Sequence, residues 1–241
     1  MNWFAVSDVA SLVGKNKYQS AEDTIEKYRK RYFPEPESEP ESEPESESGS
    51  ESESEPDFKA LCNISNINPK MYIDKITPVT NSNEIVESLV ESLAPIVNTI
   101  PITMPEIKNI VQSEIYKQHG KRTESYVEDW INENVGTLTD QQKGAGINII
   151  THNDVRWRVF GKVDGIVNDS VVEIKNRQNR LFHYVPEYEK VQCQLYMHIF
   201  KKPLCKLVQH YKNQYIVDDL CYDKDYVLDI LEKLRDIIKA Y

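Results

Sequence analysis

The residues best suited to do chemistry lie in WRVFGKVDGIVNDSVVEIKNR, positions 157–177. Asp164 and Glu173 sit on two apolar, β-branched stretches, and Lys175 follows Glu173 by two places. Asn168-Asp169 between them suits a two-residue hairpin turn, because both residue types tolerate positive φ. That turn sets Val167 opposite Ser170, Asp164 opposite Glu173 and Lys162 opposite Lys175. Side chains alternate along a strand, so Asp164, Glu173 and Lys175 share one face. Val163, Val167, Val172 and Ile174 take the other, a credible core face. Carboxylates directly opposite on a sheet have Cβ atoms roughly 5 Å apart and repel. A hard divalent cation, Mg²⁺ with Mn²⁺ able to substitute, would relieve that repulsion through oxygen ligands and water. A lysine on the same face can orient or deprotonate an attacking water and counter charge developing on a phosphate. Ordinary surface charges screening one another would use the same residues, so the companions elsewhere in the chain matter.

The elements that must position these groups follow from periodicity and punctuation. NWFAVSDVASLVG reads as a short helix ending at Gly14, with Ser7 as N-cap ahead of Val9, Leu12 and Val13. Ser20 precedes AEDTIEKYRKRYF, a helix with acids in its first turn and bases in its last, as a helix dipole favours. Helical spacing continues over Glu84 to Val97, over Pro105 to Gln118 stopped by Gly120, and over Arg122 to Asn134 stopped by Gly136. The pattern then turns to strands at Ile147–Thr151, Arg156–Val167 and Ser170–Lys175. Pro186 can open a helix that Pro203 limits, Lys206–Tyr211 and Tyr215–Leu220 read as a hairpin around Asn213-Gln214, and Tyr226 to Ala240 is a last amphipathic helix. This order predicts an α/β fold, a central mixed β-sheet flanked by helices.

Residues 34–57, PEPESEPESEPESESGSESESEPD, contain no apolar side chain and are expected to be a disordered acidic insert. They separate an N-terminal helical part, 1–33, from a core at 58–241. They also distort the electrostatics. The chain carries 29 Lys+Arg and 39 Asp+Glu, net −10, but the insert holds 11 of the acids, leaving 28 against 29 bases. A near-neutral domain leaves a polyanionic partner open, which net −10 would argue against. Lys121, Arg122, Arg156, Arg158, Arg177 and Arg180 flank the Asp–Glu–Lys segment, interspersed with Trp157, Phe182 and Tyr184. Four cysteines without CxxC spacing fit reduced, buried thiols, and five histidines form no HxH or HExxH pattern. Neither a phosphate-binding GxxxxGK[ST] loop nor GxGxxG is present. No long apolar run or signal pattern appears, so a soluble intracellular protein with no membrane partner is expected.

Four ordered motifs resemble the PD-(D/E)xK nucleases, in particular the YqaJ and lambda-type exonuclease branch related to RecB. FAVSDVASLVGKNKYQS is similar to that branch's opening Ser–acid and Tyr-x-Ser motif, and HGKRTE to its helical Gly-x-x-x-Glu. KVDG and VVEIKN are similar to its paired metal motifs, and QCQLYMHIF to its Gln-x-x-x-Tyr helix. Val163 stands where many members have proline, and the arginine that precedes the Ser motif in lambda-type enzymes has no counterpart in Met1–Phe4.

The resemblance implies a restriction-endonuclease-like core with Asp164, Glu173 and Lys175 catalytic. It implies a metal held by Asp164, Glu173 and the Ile174 carbonyl, with Glu124 completing it or supporting a second ion. Gln192 and Tyr196, at i and i+4 and so on one helix face, would hold a phosphate or the lysine; Ser7, Ser20 and Arg177 would contact DNA. The implied activity is degradation of linear double-stranded DNA, 5′ to 3′, in recombination or repair. A single-strand annealing protein as partner, a homo-oligomer, and a viral or phage origin all fit that branch. A structure- or site-specific endonuclease of the same fold, or an inactive nuclease-like DNA-binding protein, are the alternatives.

Overall fold

The computed structural model describes residues 1–33 and 57–240. The expected acidic insert falls outside these, except for Asp57. That residue is an N-cap, its carboxylate accepting from the Ala60 N–H at 2.7 Å. The chain divides into two units: Met1–Glu35, Val127–His210 and Gln214–Tyr241 form one, and Pro36–Tyr126 with Tyr211–Asn213 form the other. Residues 58–126 of the expected core therefore cluster in the second unit.

The first unit begins with a strand where the sequence pattern predicts only a short helix. β1 (Asn2–Ala5) leads directly into α1 (Val6–Leu12), whose N-cap is Ala5, not Ser7. Trp3 and Phe4 suit a strand. The outer edge of β1 is closed by α2 (Ala21–Tyr32): the Tyr32 hydroxyl accepts from the Trp3 N–H at 3.0 Å and donates to its carbonyl at 2.7 Å. The Tyr28 hydroxyl accepts from the Ala5 N–H at 2.9 Å. These bonds satisfy backbone groups that an edge strand would otherwise leave open. Gly14, at φ +70°, ends α1 as expected, and Lys15 N–H closes the turn on the Ala10 carbonyl at 2.7 Å. Ser20 caps α2 by accepting from the Asp23 N–H at 3.0 Å.

The second unit holds α3 (Phe58–Ile64), α4 (Lys70–Ile73), α5 (Ser82–Leu93), a 3-10 turn at Ala94–Asn98, and most of α6 (Met104–Asn134). Leu61, Leu89, Leu93, Ile107, Val111 and Ile115 form its core. Two helices were expected around Gly120, whereas α6 runs unbroken for 31 residues. An interior glycine disfavours a helix by only about 1 kcal/mol relative to alanine. Burial of Ile107, Val111 and Ile115, and of Val127 and Ile131 further along, outweighs that.

After α6 the first unit resumes as the expected mixed α/β fold, with two mixed sheets flanked by helices. β2 (Gly144–His152) pairs antiparallel with β3 (Val155–Lys162), and β1 lies parallel to β3 on its other side. The second sheet has the order β4 (Gly165–Val167), β5 (Ser170–Asn176), β6 (Leu204–Tyr211), β7 (Gln214–Cys221). The expected strand Arg156–Val167 is thus two strands in two sheets, parted at Val163-Asp164. The crossover from β5 to its parallel neighbour β6 is α7 (Glu187–Phe200), and α8 (Lys224–Lys239) closes the chain. The β6–β7 turn is Lys212-Asn213, with Lys212 at φ +54°, one residue earlier than expected. Phe4, Trp157, Val159, Leu195 and Val227 belong to one core, and Val127, Ile131, Val167, Val172 and Val208 to another. Among the described residues no helix is long and apolar enough to cross a membrane.

Candidate active site

The hairpin register is the one the turn arithmetic requires. Val167 pairs with Ser170, Ile166 with Val171 and Gly165 with Val172, around Asn168 at φ +51°. The ladder stops one residue short of Asp164. There the chain crosses from β3: Lys162 pairs with Gly144, not opposite Lys175, and Val163 N–H donates to the Lys143 carbonyl at 3.1 Å. Asp164 instead supplies its side chain to the neighbouring strand, Oδ2 accepting from the Ile174 N–H at 2.6 Å. Its Oδ1 has a long contact, 3.4 Å, from Gln142 Nε2. A side-chain acceptor thus replaces a ladder bond and fixes the carboxylate beside β5.

Glu173 and Lys175 lie on one face of β5, and α7 covers that face. Lys175 Nζ donates to Glu173 Oε1 at 2.7 Å and to Gln192 Oε1 at 3.0 Å. Gln192 Nε2 donates to the same Glu173 oxygen at 2.8 Å, which closes a three-residue ring. Tyr196, one turn along α7, holds its hydroxyl 3.2 Å from Gln192 Nε2. Four residues singled out in the sequence are thus joined by direct hydrogen bonds. The close approach depends on Gly161 of β3, where a Cβ would stand 2.6 Å from Tyr196 Cε1 and 2.7 Å from Val6 Cγ2.

Burial dominates the electrostatics of the two carboxylates. Burial raises the Glu173 carboxyl to about 7; the Lys175 ammonium opposes this and the Asp164 charge adds to it. Burial likewise raises Asp164, offset in part by the Ile174 N–H and Lys175. Burial works against the charge on Lys175, but Glu173 beside it more than compensates and keeps the ammonium protonated. The Tyr196 phenol is pushed up by burial and then by the Glu173 charge.

Glu189, which the sequence reading did not single out, anchors the far side. It lies on α7 three residues before Gln192, and its side chain is only 2% exposed. It takes both guanidinium nitrogens of Arg177, Nη1 on Oε1 at 2.5 Å and Nη2 on Oε2 at 2.7 Å, while Arg177 Nε donates to Gln209 at 2.9 Å. Arg177, expected to contact nucleic acid, is occupied in this internal clamp. An acid on the Gln192 face of the helix was the available signal for Glu189.

Ser7 is exposed on α1, and the Ser20 hydroxyl is the cap of α2. Glu124 is half-buried on α6, in the second unit. Among the described residues no group of three or more His, Cys, Asp or Glu is placed to hold a metal.

No protein-family model matches the sequence, and no curated protein sequence matches it. Among solved structures the fold is similar to a protein described as SSO0001, at 19% identity and TM-score 0.42, over 54% of this chain and 63% of that one. It is similar also to the alkaline exonuclease LHK-Exo of Laribacter hongkongensis, at 19% identity and TM-score 0.42, over 52% and 67% of the two chains. The same exonuclease in complex with dAMP gives 14% identity and TM-score 0.39, over 75% and 89%. This chain thus spans less than two thirds of the SSO0001 chain.

Proposed function

We propose that this chain is a divalent-metal-dependent DNA nuclease, acting as an exonuclease on linear double-stranded DNA from 5′ to 3′ in recombination or repair. The observation that carries this reading is the ring of Glu173, Lys175 and Gln192 beside the anchored Asp164 carboxylate. The buried Glu173 and half-buried Asp164 carboxylates, both raised by burial, share the one ammonium of Lys175, and a further cation would balance the second. Glu173 uses Oε1 within the ring and leaves Oε2 open, while Asp164 leaves Oδ1 with one long contact. That hard-oxygen set fits Mg²⁺ or Mn²⁺, which commonly bind through one or two carboxylates with waters and substrate phosphate. Asp164, Glu173 and the Ile174 carbonyl would hold the ion, which when bound polarises a phosphoryl oxygen and acidifies its water.

The protein's own groups supply the rest. An ammonium has three N–H donors, and Lys175 commits two, to Glu173 and Gln192. The third remains to orient an attacking water or a phosphate oxygen. Because Glu173 keeps the ammonium protonated, Lys175 acts by position and charge. Gln192 fixes both partners of that pair, and Tyr196 fixes Gln192. The buried setting strengthens each of these interactions toward charge developing at phosphorus.

The test incubates wild type and Lys175→Ala with Mg²⁺ and linear duplex DNA bearing 5′-phosphate or 5′-hydroxyl ends, and with closed circular DNA. Loss of linear DNA by the wild type alone, with circles intact, is the expected result. Equal degradation by both proteins overturns the mechanism, and cleavage of circles replaces the exonuclease with an endonuclease. Glu124→Gln in the same assay tests the metal role that the family resemblance implies for that residue. Pull-down with a single-strand annealing protein and sedimentation test the expected partner and a homo-oligomer.

A further inference from the structure

The segment that follows Lys175 forms a feature the catalytic ring does not use. Two adjoining cavities of about 190 and 400 Å³ share Tyr18, Phe182 and Tyr188 in their walls. The larger is walled in part by Asn176, the last residue of β5, and Arg177, the two residues that follow Lys175 in the chain. Two rings of this groove are open to solvent. Tyr18 is 69% exposed and Tyr184 57%. Phe182 and Tyr184 stack on each other, with centroids 5.7 Å apart and planes 16° from parallel. Tyr18 meets Tyr188 edge to face at 5.9 Å.

Phe182 is held from both its backbone and its ring. Gln209, fully buried on β6, accepts from the Phe182 N–H at 3.1 Å and donates to the Phe182 carbonyl at 3.0 Å. The clamped Arg177 guanidinium lies 4.3 Å from the Phe182 ring centroid. The charge in the groove is positive: Glu187 neutralises Lys15 and Glu189 neutralises Arg177, whereas Lys17 and Arg180 have no carboxylate partner among the described residues. Lys17 Nζ lies 4.9 Å from the Tyr18 ring centroid, and Tyr184 and Arg177 pack on Phe182, so Tyr18 and Tyr184 are the rings with exposed surface. Exposed aromatic rings beside cations that no carboxylate neutralises suit a single-stranded nucleic acid, since each unpaired base offers a stacking face and each linkage a negative charge. A duplex hides its base faces and could use only the cations.

We infer that the Tyr18–Phe182–Tyr184 groove binds a single-stranded DNA segment by base stacking, with Lys17 and Arg180 on its phosphates, next to the scissile site. This deepens the nuclease reading and rests on it for the choice of DNA as ligand. It implies that a strand is held unpaired on one side of Lys175.

The test measures binding without cleavage. Fluorescein-labelled oligo-dT of about 15 nucleotides, within the usual site sizes for such grooves, is titrated in EDTA with full-length wild type, Tyr18→Ala/Tyr184→Ala and Tyr18→Phe/Tyr184→Phe. A blunt duplex serves as comparison. Both tyrosines are exposed, so the variants should fold, as circular dichroism will confirm. The alanine pair should weaken oligo-dT binding at least ten-fold, the phenylalanine pair should restore it, and duplex affinity should change less than two-fold. Absence of oligo-dT binding by wild type, an unchanged alanine variant, equal loss for duplex and oligo-dT, or loss in the phenylalanine pair each overturns the stacking groove. Digestion of linear DNA by the wild type with Mg²⁺ is scored separately. Tyrosine-dependent oligo-dT binding without digestion would remove the nuclease reading and leave the groove standing.

Discussion

Replacing Glu173 by glutamine should change the pH dependence of folding in a calculable way. In the folded protein the carboxyl is raised from 4.5 to about 7, chiefly by burial. The folded state therefore keeps a proton through a window in which the unfolded state has lost it. Stability is greatest below pH 4.5, falls as pH rises through the window, and levels off above pH 7. At about 1.4 kcal/mol per pH unit, the loss across the window is ~3 kcal/mol. Glutamine keeps an oxygen for Lys175 and Gln192 but carries no titrating proton. Removing the charge partner of Lys175 shifts the whole curve by an amount that does not depend on this proton. The informative quantity is thus the wild-type-minus-variant difference as a function of pH. Urea unfolding followed by tryptophan fluorescence reads it cleanly, because Trp3, Trp130 and Trp157 all lie in the unit that contains Glu173. Between pH 4.5 and 8 the variant should gain ~3 kcal/mol on the wild type, roughly 1–3 M in urea midpoint at ordinary m-values. Mg²⁺ should flatten the wild-type curve and leave the variant unaffected. Parallel curves for the two proteins would refute the electrostatic account of the site.

Other perturbations probe the supports. Arg177→Ala strands the buried Glu189 carboxylate and should destabilise the first unit by about 3–5 kcal/mol, measured by the same fluorescence unfolding. Gly161→Ala should lower stability by about 1–3 kcal/mol and impair cleavage as well, because the added methyl must displace the Tyr196 ring; a stability loss with unchanged cleavage would separate Tyr196 from the chemistry. Gly120→Ala should stabilise α6 by roughly 0.5–1 kcal/mol, since a Cβ there meets nothing within 4 Å; thermal melting by circular dichroism reads the gain.

Local rules made part of this site legible. Asn168-Asp169 fixed the register, and the i,i+4 spacing of Gln192 and Tyr196 placed both on the face of α7 that meets Glu173 and Lys175. What the sequence concealed was decided by longer-range competition. Asp164 was expected to face Glu173 within the ladder, but the chain leaves one sheet for the other there, so the carboxylate takes a backbone N–H instead. The alternation rule assumes a strand that continues, and no local residue announces the crossing. Gly120 looked like a stop because its propensity is local, while the burial that overrides it comes from residues on either side. Arg177 looked like a surface base beside a carboxylate cluster. Its partner Glu189 is twelve residues away in sequence and joined to it through the helix packed on β5. β1 was hidden by brevity: four residues cannot declare a strand until β3 and the two tyrosines of α2 meet them.

That same strand sets a clock on the ribosome. Phe4 finds its partner Val159 only after about 155 further residues have been synthesised, which at ~5–20 residues per second takes roughly 8–30 s. Gln192, which holds Lys175, emerges later still. A nascent chain therefore carries Trp3 and Phe4 unpaired with β3 over that interval, a period in which a chaperone that shields short apolar segments has something to bind. By the same schedule the hydrogen bond from Lys175 to Gln192 cannot form until Gln192 has been made.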